Sequence, residues 1–384
     1  MKPLDFYWIF SLVATAFGAG VLYIPTSAIF IDTWAVFLIG FLAALAIAIG
    51  HTFLSRVVLY QNENAEVKNI SEVVNENMGK KWGYIFSLVF FLSTFTVILI
   101  YSLGIRDVYT SVFAQIFNIN DSKWGLAYIL SLLIPLLLML IGLLDTKKTI
   151  KIITIFAVLL LISIIFLSIY LFIHRVPTSD KINNIMSDTS VYQKLGLFFG
   201  FFSVMVFGMN FSSIVPRFSL CYRHHVLKST ILIFIATGLL LFLLIFFSLA
   251  CKYVIPADVL TQLKSNSNIE NVSALQVIQR SLPDKNILND IGLLISVLLL
   301  TGSFIGTFIG TREATENIVK IFAPKKDKKQ IEKIAFNIII VMVYFVILSH
   351  ISIKQIISEI TSPSILALIY IIPIMFFIKT RKNK

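Results

Sequence analysis

Thr15-Ala16-Phe17-Gly18-Ala19-Gly20-Val21-Leu22-Tyr23-Ile24-Pro25 lies in the middle of the first apolar segment of the chain. An uninterrupted helix is the simplest way through hydrocarbon, and this stretch resists it. Glycine weakens a helix interior, and proline removes a backbone donor. Every freed N–H or C=O in a bilayer costs several kcal/mol unless something satisfies it. A break at this depth is tolerated where backbone lines a polar cavity or packs inside protein. The reading is that Phe17 to Val21 is unwound backbone presented to a solute.

The whole composition places that stretch in a membrane. Of 384 residues, 58% are hydrophobic and only 14% charged, with a mean hydropathy of +0.90. Ordinary globular chains carry about 25% charge. The chain reads as an all-α polytopic membrane protein, a single transmembrane domain over 1–384. No cleavable signal peptide is expected, because the first apolar segment is too long for one. Cys221 and Cys251 are too few and too distant for a disulfide framework or a zinc site, and read as two buried or lipid-facing thiols.

A span needs about 20 mainly apolar residues. About ten are expected, roughly at 6–31, 34–60, 84–117, 124–144, 149–173, 195–219, 229–254, 288–320, 334–350 and 363–379. Ten spans put both termini on one side. Roughly 21 basic residues fall on that side and 9 on the other, which makes it the cytoplasm. The net charge of +12 is therefore a topology signal, with anionic lipid a further partner. Lys325-Lys326-Asp327-Lys328-Lys329 is a short loop between spans, and no nucleic acid is expected. In the loop Gln61 to Gly83, Ile70, Val73, Val74 and Asn77 recur at helical spacing and predict a short amphipathic helix. The outer loop Ile255 to Ile287 predicts one or two short helices.

The sixth segment repeats the anomaly of the first. It reads Phe207-Gly208-Met209-Asn210-Phe211-Ser212-Ser213-Ile214-Val215-Pro216. Segments one and six each begin a five-span half. Breaks in corresponding places of two halves point to a binding site near the bilayer midplane of an inverted-repeat transporter. Half-helix N-termini there favour a carboxylate, and free carbonyls favour an ammonium group. A zwitterionic amino acid suits both. Repeat one would cover 1–173 and repeat two 194–384, with helices 1 and 6 broken. Packing alone is the competing account, since Gly, Ser and Pro are common in membrane helices.

The eighth segment carries Ser303, Gly306, Thr307 and Gly310 at spacings of three and four, hence on one face. Gly306 and Gly310 read as sites of close helix approach. Ser303 and Thr307 read either as packing or, with a carbonyl near Phe17, as an oxygen cage for Na⁺. Arg312-Glu313 follows. Ionisable groups inside a membrane are functional candidates, against snorkelling with local ion pairs. Arg106-Asp107 reads as the latter. Tyr101 and Ser102 face either the site or neighbouring helices. His51 is either a hydrogen bond between helices or a proton carrier.

Four passages resemble the hydroxy/aromatic amino acid permease family, particularly its serine and threonine transporters. They are Thr15 to Pro25; Leu99-Ile100-Tyr101-Ser102-Leu103-Gly104-Ile105; Val204 to Ser213; and Ser303-Phe304-Ile305-Gly306 with Gly310-Thr311-Arg312-Glu313. Their order and spacing run over about 300 residues. The resemblance implies the LeuT-like 5+5 inverted repeat of the amino acid–polyamine–organocation superfamily. It also implies uptake of a small amino acid across the cytoplasmic (inner) membrane, coupled to H⁺ or, in some relatives, Na⁺. The chain departs from the family at the sixth span, where Asn-His-Ser-Pro is replaced by Asn210-Phe211-Ser212-Ser213 with the proline displaced to Pro216. It departs also in ending after ten spans instead of eleven.

The expected protein is thus a symporter without cofactor or resident metal, not an enzyme. Thr15, Gly18, Ala19, Gly20, Val21, Tyr101, Phe207, Gly208, Asn210 and Ser212 are its candidate substrate residues. Glu313 is the candidate proton carrier; Ser303 and Thr307 with Phe17 are the Na⁺ alternative. Serine or threonine is the first-choice substrate and an aromatic amino acid the alternative. A membrane amino-acid sensor that binds without transporting is the rival from another class.

Overall fold

Backbone groups in hydrocarbon must find partners within their own segment, and the described residues of this chain meet that demand with helices. The computed structural model describes residues 2–18, 20–29, 31–61, 68–117, 125–174, 191–255, 285–348 and 360–382, and among them no strand occurs. In chain order the helices are α1 (Pro3–Ala16), α2 (Gly20–Ala28), α3 (Thr33–Val58), α4 (Ile70–Met78), α5 (Lys80–Phe117), α6 (Leu126–Gly142) and α7 (Thr146–Ile173). They continue with α8 (Val191–Gly208), α9 (Val215–Cys221), α10 (Val226–Lys252), α11 (Lys285–Phe322) and α12 (Lys328–Leu348). Last come α13 (Ser362–Leu366), a π-turn (Ala367–Ile371) and α14 (Ile372–Lys382). The helices expected in the outer loop fall outside the described residues.

Among the described residues, seven helical segments are long and apolar enough to cross a bilayer unaided. The first and sixth expected segments are not among them, because each is split. The first is α1 and α2, of 14 and 9 residues. The sixth is α8 and α9, of 18 and 7 residues. The fourth is one apolar helix of 17 residues, α6.

The exterior is apolar in the way lipid requires. On α7, Ile155, Leu159, Ile162, Phe166, Ile169 and Ile173 are exposed and recur every three or four residues, while Ile153, Ala157, Leu160, Ile164, Leu167 and Leu171 are buried. A continuous exposed apolar stripe of this kind marks an interaction surface, here hydrocarbon. Inside, the 38-residue helices α5 and α11 pack along one another. Helix α1 lies against α7, α10 and α11, and α2 against α8 and α10. The two halves of the first interrupted helix are therefore packed among other helices.

The expected amphipathic helix is α4. Asn69 opens it with a capping box: Asn69 Oδ1 accepts from Glu72 N at 2.9 Å, and Glu72 Oε2 from Asn69 N at 3.1 Å. Ile70, Val73 and Val74 are buried. Gly79, at φ 95°, ends the helix in a conformation that other residues resist. The polar face docks on the end of α11, with Lys320 Nζ 2.6 Å from Glu72 and Asn317 Nδ2 donating to Ser71 Oγ at 3.0 Å. Arg106 Nη1 donates to the Ile347 carbonyl at 2.7 Å, so it caps the last turn of α12 besides pairing with Asp107.

The start of α1 is held by a buried carboxylate. Asp5 accepts from Lys2 N at 2.7 Å and from the Tyr222 hydroxyl at 2.8 Å, and Lys228 Nζ lies 2.8 Å away. Burial alone would push this carboxyl up, but the Lys228, Lys2 and Tyr222 hydrogen bonds outweigh it and hold Asp5 below the usual carboxylate range. A depressed pKa stabilises the fold above the unfolded value, about 4, and the contribution is lost as pH falls through the lower folded value. Asp5→Asn is expected to lower stability by about 2 kcal/mol, within the range for hydrogen bonds to charged groups, since Lys228 is partly exposed and can turn to water. Thermal unfolding in detergent at pH 7 checks this; an unchanged midpoint would show that the network contributes nothing.

Candidate functional site

The first interruption is a tight turn built by Phe17 and two glycines. Phe17 has φ −75° and ψ 61°, and Gly18 N donates to the Ala16 carbonyl at 2.7 Å, an inverse γ-turn. Val21 N returns to the Gly18 carbonyl at 3.0 Å. The amides of Gly18 and Val21, expected to be free, are thus engaged within the turn. Among the described residues the Gly20 N–H meets no acceptor. It stands at the first turn of α2, where the helix dipole is positive. Ala19 lies outside the described residues. Pro25, inside α2, has no N–H, so the Val21 carbonyl lacks its helical donor.

The second interruption spans Met209 to Ile214. Asn210 N donates to the Phe207 carbonyl at 3.1 Å, and Ile214 N to the Phe211 carbonyl at 3.2 Å. Among the described residues no backbone donor reaches the Gly208 carbonyl. Ser212 N donates instead to the Asn210 side chain, at Oδ1, 3.2 Å away. Such a local side-chain bond is how Asn competes with helix. Pro216 sits in the first turn of α9, where its missing N–H costs least.

The two interruptions abut. A Cβ on Gly20 would lie 2.8 Å from Phe207 Cδ1 and 3.3 Å from Gly208 Cα; one on Gly208 would lie 2.5 Å from Ile24 Cδ1. Close backbone approach is therefore what these two glycines supply. Tyr101 of α5 lays its ring over Gly18, where a Cβ would come within 2.6 Å of Cε1. The Tyr101 hydroxyl lies beside Ser303 of α11. Ser303 Oγ in turn donates to the Ala14 carbonyl at 2.7 Å, in the last turn of α1.

The small-residue face of α11 continues the contact. Gly306 fits against Thr15, whose hydroxyl bonds back to the Ser11 carbonyl at 2.7 Å. Gly310 fits against the Ser213 backbone in the second interruption. Thr307 is buried between them, its carbonyl accepting from Thr311 Oγ1 at 3.0 Å. Phe17, Val21, Ser102 and Ser212 are buried as well. The site residues expected from four distant passages thus meet around one centre, with Ala19 undescribed.

The ionisable groups divide. Arg312 is paired with Glu316 at 2.7 Å and, more loosely, with Glu332 at 3.7 Å. Its neighbour Glu313 has a buried Oε1 without a partner among the described residues, in the field of Arg217 on α9. His51 of α3 is fully buried, its Nε2 3.2 Å from Asn210 Oδ1 and its ring stacked on Phe211 at 4.0 Å between centroids. The sequence marks His51 as unusual but gives no hint of Asn210, 159 residues away. The signal was the isolated imidazole itself, since a lone polar ring in an apolar span needs a partner.

Chemically, among the described residues the centre offers the Gly20 amide at a helix start, under-used carbonyls at Val21 and Gly208, and a half-buried carboxamide at Asn210. Among the described residues no cluster of three His, Cys, Asp or Glu side chains suits a metal ion.

Comparison with known proteins finds membrane permeases. The model of the tryptophan/tyrosine permease family matches residues 6–384. The inner membrane transport protein YqeG of Escherichia coli K12 is 24% identical over 375 residues, covering 95% of this chain and 89% of its own. The serine transporter SdaC of the same strain is 23% identical over 387 residues, covering 97% and 87%. The threonine/serine transporter TdcC of Yersinia enterocolitica is 24% identical over 358 residues, covering 88% and 79%.

Proposed function

The chain belongs to the tryptophan/tyrosine permease family, a transporter and not an enzyme, and on that premise we propose that it imports serine or threonine by alternating access. The observation that carries this reading is the abutment of two helix interruptions at Gly20 and Gly208. The Gly20 N–H and the α2 dipole receive the substrate carboxylate. The Gly208 and Phe207 carbonyls receive its ammonium group, and Asn210 meets the side chain. The Tyr101 and Phe207 rings already fill the space over Gly18 and Gly20, which favours a small substrate over an aromatic one. Similarity to serine and threonine transporters supports the same choice.

In this reading the chain is a ten-span inverted repeat, 1–173 and 194–384, with both termini in the cytoplasm of an inner-membrane protein. Helices α1, α2, α3, α8, α9 and α10 rock against the rest. H⁺ is the coupling ion, with Glu313 as its carrier, because a buried carboxylate oxygen without a partner is the group a proton would satisfy. The Na⁺ alternative rests on Ser303 lying against the Ala14 carbonyl.

Proteoliposomes under an imposed pH gradient or an imposed Na⁺ gradient decide between the ions. Accumulation of labelled serine under the pH gradient alone is expected. Glu313→Gln is expected to remove at least about tenfold of that accumulation while exchange of labelled for unlabelled serine persists. Accumulation driven only by Na⁺ would overturn the proton assignment, and saturable binding without exchange would favour a sensor. A C-terminal reporter that works only in the cytoplasm checks the orientation.

A further inference from the structure

Two part-buried hydrogen bonds at the second interruption fix a proton whose position cannot be read from the ring alone. Ser212 N is a backbone amide and can only donate, so the atom it meets at 3.2 Å on Asn210 is the carbonyl Oδ1 and not the amine. His51 Nε2 faces that same oxygen at 3.2 Å. Oδ1 has no proton to give, so Nε2 must carry one. The other ring nitrogen, Nδ1, is then a bare acceptor in the neutral imidazole. It is buried and has no partner among the described residues.

This settles which way the Asn210 carboxamide points. Its oxygen is held by two donors, one from the interruption itself and one from α3. Its Nδ2 faces away from them, finds no partner among the described residues, and belongs to a half-buried residue. His51 is itself well fixed. Its ring stacks on Phe211, and the preceding turn of α3 is clasped by the π-turn of the last span: Tyr370 donates to the Ala46 carbonyl, and Ile369 packs on Gly50. π-turns inside helices occur frequently at functional sites.

We propose that His51 is a positioning residue of the solute site, which holds Asn210 so that Nδ2 donates to the side-chain hydroxyl of the transported amino acid. The class selected is a small amino acid with a hydroxyl acceptor beside its zwitterion. This rests on the transport reading above and deepens it. A site built to hydrogen-bond a hydroxyl rejects the analogue lacking it, because its own polar group is then left unpaired. Alanine is that analogue for serine.

The test is exchange in proteoliposomes, with labelled serine and labelled alanine compared in each variant. His51→Phe keeps the aromatic stack and removes the donor. It is expected to reduce the serine-over-alanine preference about tenfold, mainly through a weaker serine KM, with alanine changed less than about twofold. His51→Gln places an amide nitrogen near the position of Nε2 and is expected to recover most of that preference. His51→Asn is too short to reach Asn210 and is expected to behave as Phe. It also serves if the Phe variant fails to reach the membrane. A merely structural histidine would instead lower both substrates together, and Gln would rescue neither. Equal losses for serine and alanine, an unchanged preference in His51→Phe, or no difference between Gln and Asn would each overturn the inference. If the wild-type protein exchanges alanine and serine equally well, the hydroxyl assignment falls while transport stands. If it exchanges no amino acid, the transport reading falls with it.

Discussion

Gly18→Val is expected to abolish amino acid uptake while the protein still inserts. The site has no room for the change. Even a bare Cβ at Gly18 would lie 2.6 Å from Cε1 of Tyr101, well inside van der Waals contact. Tyr101 cannot swing away freely, because it is buried in α5 with its hydroxyl beside Ser303. Overpacking of this kind costs about 1–3 kcal/mol. A β-branched side chain beside the γ-turn at Phe17 sits at the upper end of that range. If the strain is relieved by opening the turn, the Gly20 amide moves, and about 3 kcal/mol corresponds to a loss of about a hundredfold in binding. Uptake and equilibrium binding of labelled serine are the measurements, with gel filtration in detergent as the check on folding. Adding Tyr101→Ala to the valine variant separates the two causes: it should restore stability by removing the clash but not binding, because the valine side chain still crowds the approach of the substrate carboxylate. Normal uptake by Gly18→Val would show that the solute does not sit at the first interruption.

Much of this centre was legible in the sequence because its defects are local. Gly18, Gly20 and Pro25 each violate helix chemistry within their own stretch; the chain breaks between Ala16 and Gly20, while Pro25 is taken up inside α2. Gly208, the Asn210-to-Ser213 cluster and Pro216 do the same in the second place, and the pairing of two such defects told more than either. The face of Ser303, Gly306 and Gly310 followed from helical period alone, and its packing against α1 and the second interruption bears out the close approach expected of those glycines.

What the sequence hid are contacts that only the folded bundle creates. Nothing near Asp5 predicts Tyr222 or Lys228, and nothing near His51 predicts Asn210. The free amides were misjudged for a related reason. A γ-turn is a matter of one φ/ψ pair at Phe17, and composition does not specify it, so the engaged Gly18 and Val21 donors could not be foreseen. Tyr101 was expected to face either the site or neighbouring helices, and its filling of the space over Gly18 needed coordinates.

The second large effect is expected along α11, as a graded series on one face. Gly302, Gly306 and Gly310 are spaced by one helical turn each, yet an added methyl meets different things. At Gly302 it would lie 3.5 Å from Ala14 Cβ and Phe156 Cβ, ordinary contact, so Gly302→Ala should be close to neutral. At Gly306 it would lie 2.9 Å from Thr15 Cβ, and relief requires Thr15 to shift and loosen its bond to Ser11. At Gly310 it would lie 2.7 Å from the carbonyl carbon of Ser213 and 2.9 Å from its Cα. That neighbour is backbone, so no rotamer change helps, and either α11 or the second interruption must move. Gly310→Ala is therefore expected to be the most damaging of the three, with uptake reduced at least about tenfold and stability lowered by about 1–3 kcal/mol. The transport loss should exceed what the stability loss explains, because the Ser213 segment also positions Ser212 and Asn210. Uptake and thermal unfolding of the three alanine variants, side by side, test the ranking. Equal tolerance at all three positions would mean that the second interruption does not rest on α11 and that the centre described above is assembled differently in the membrane.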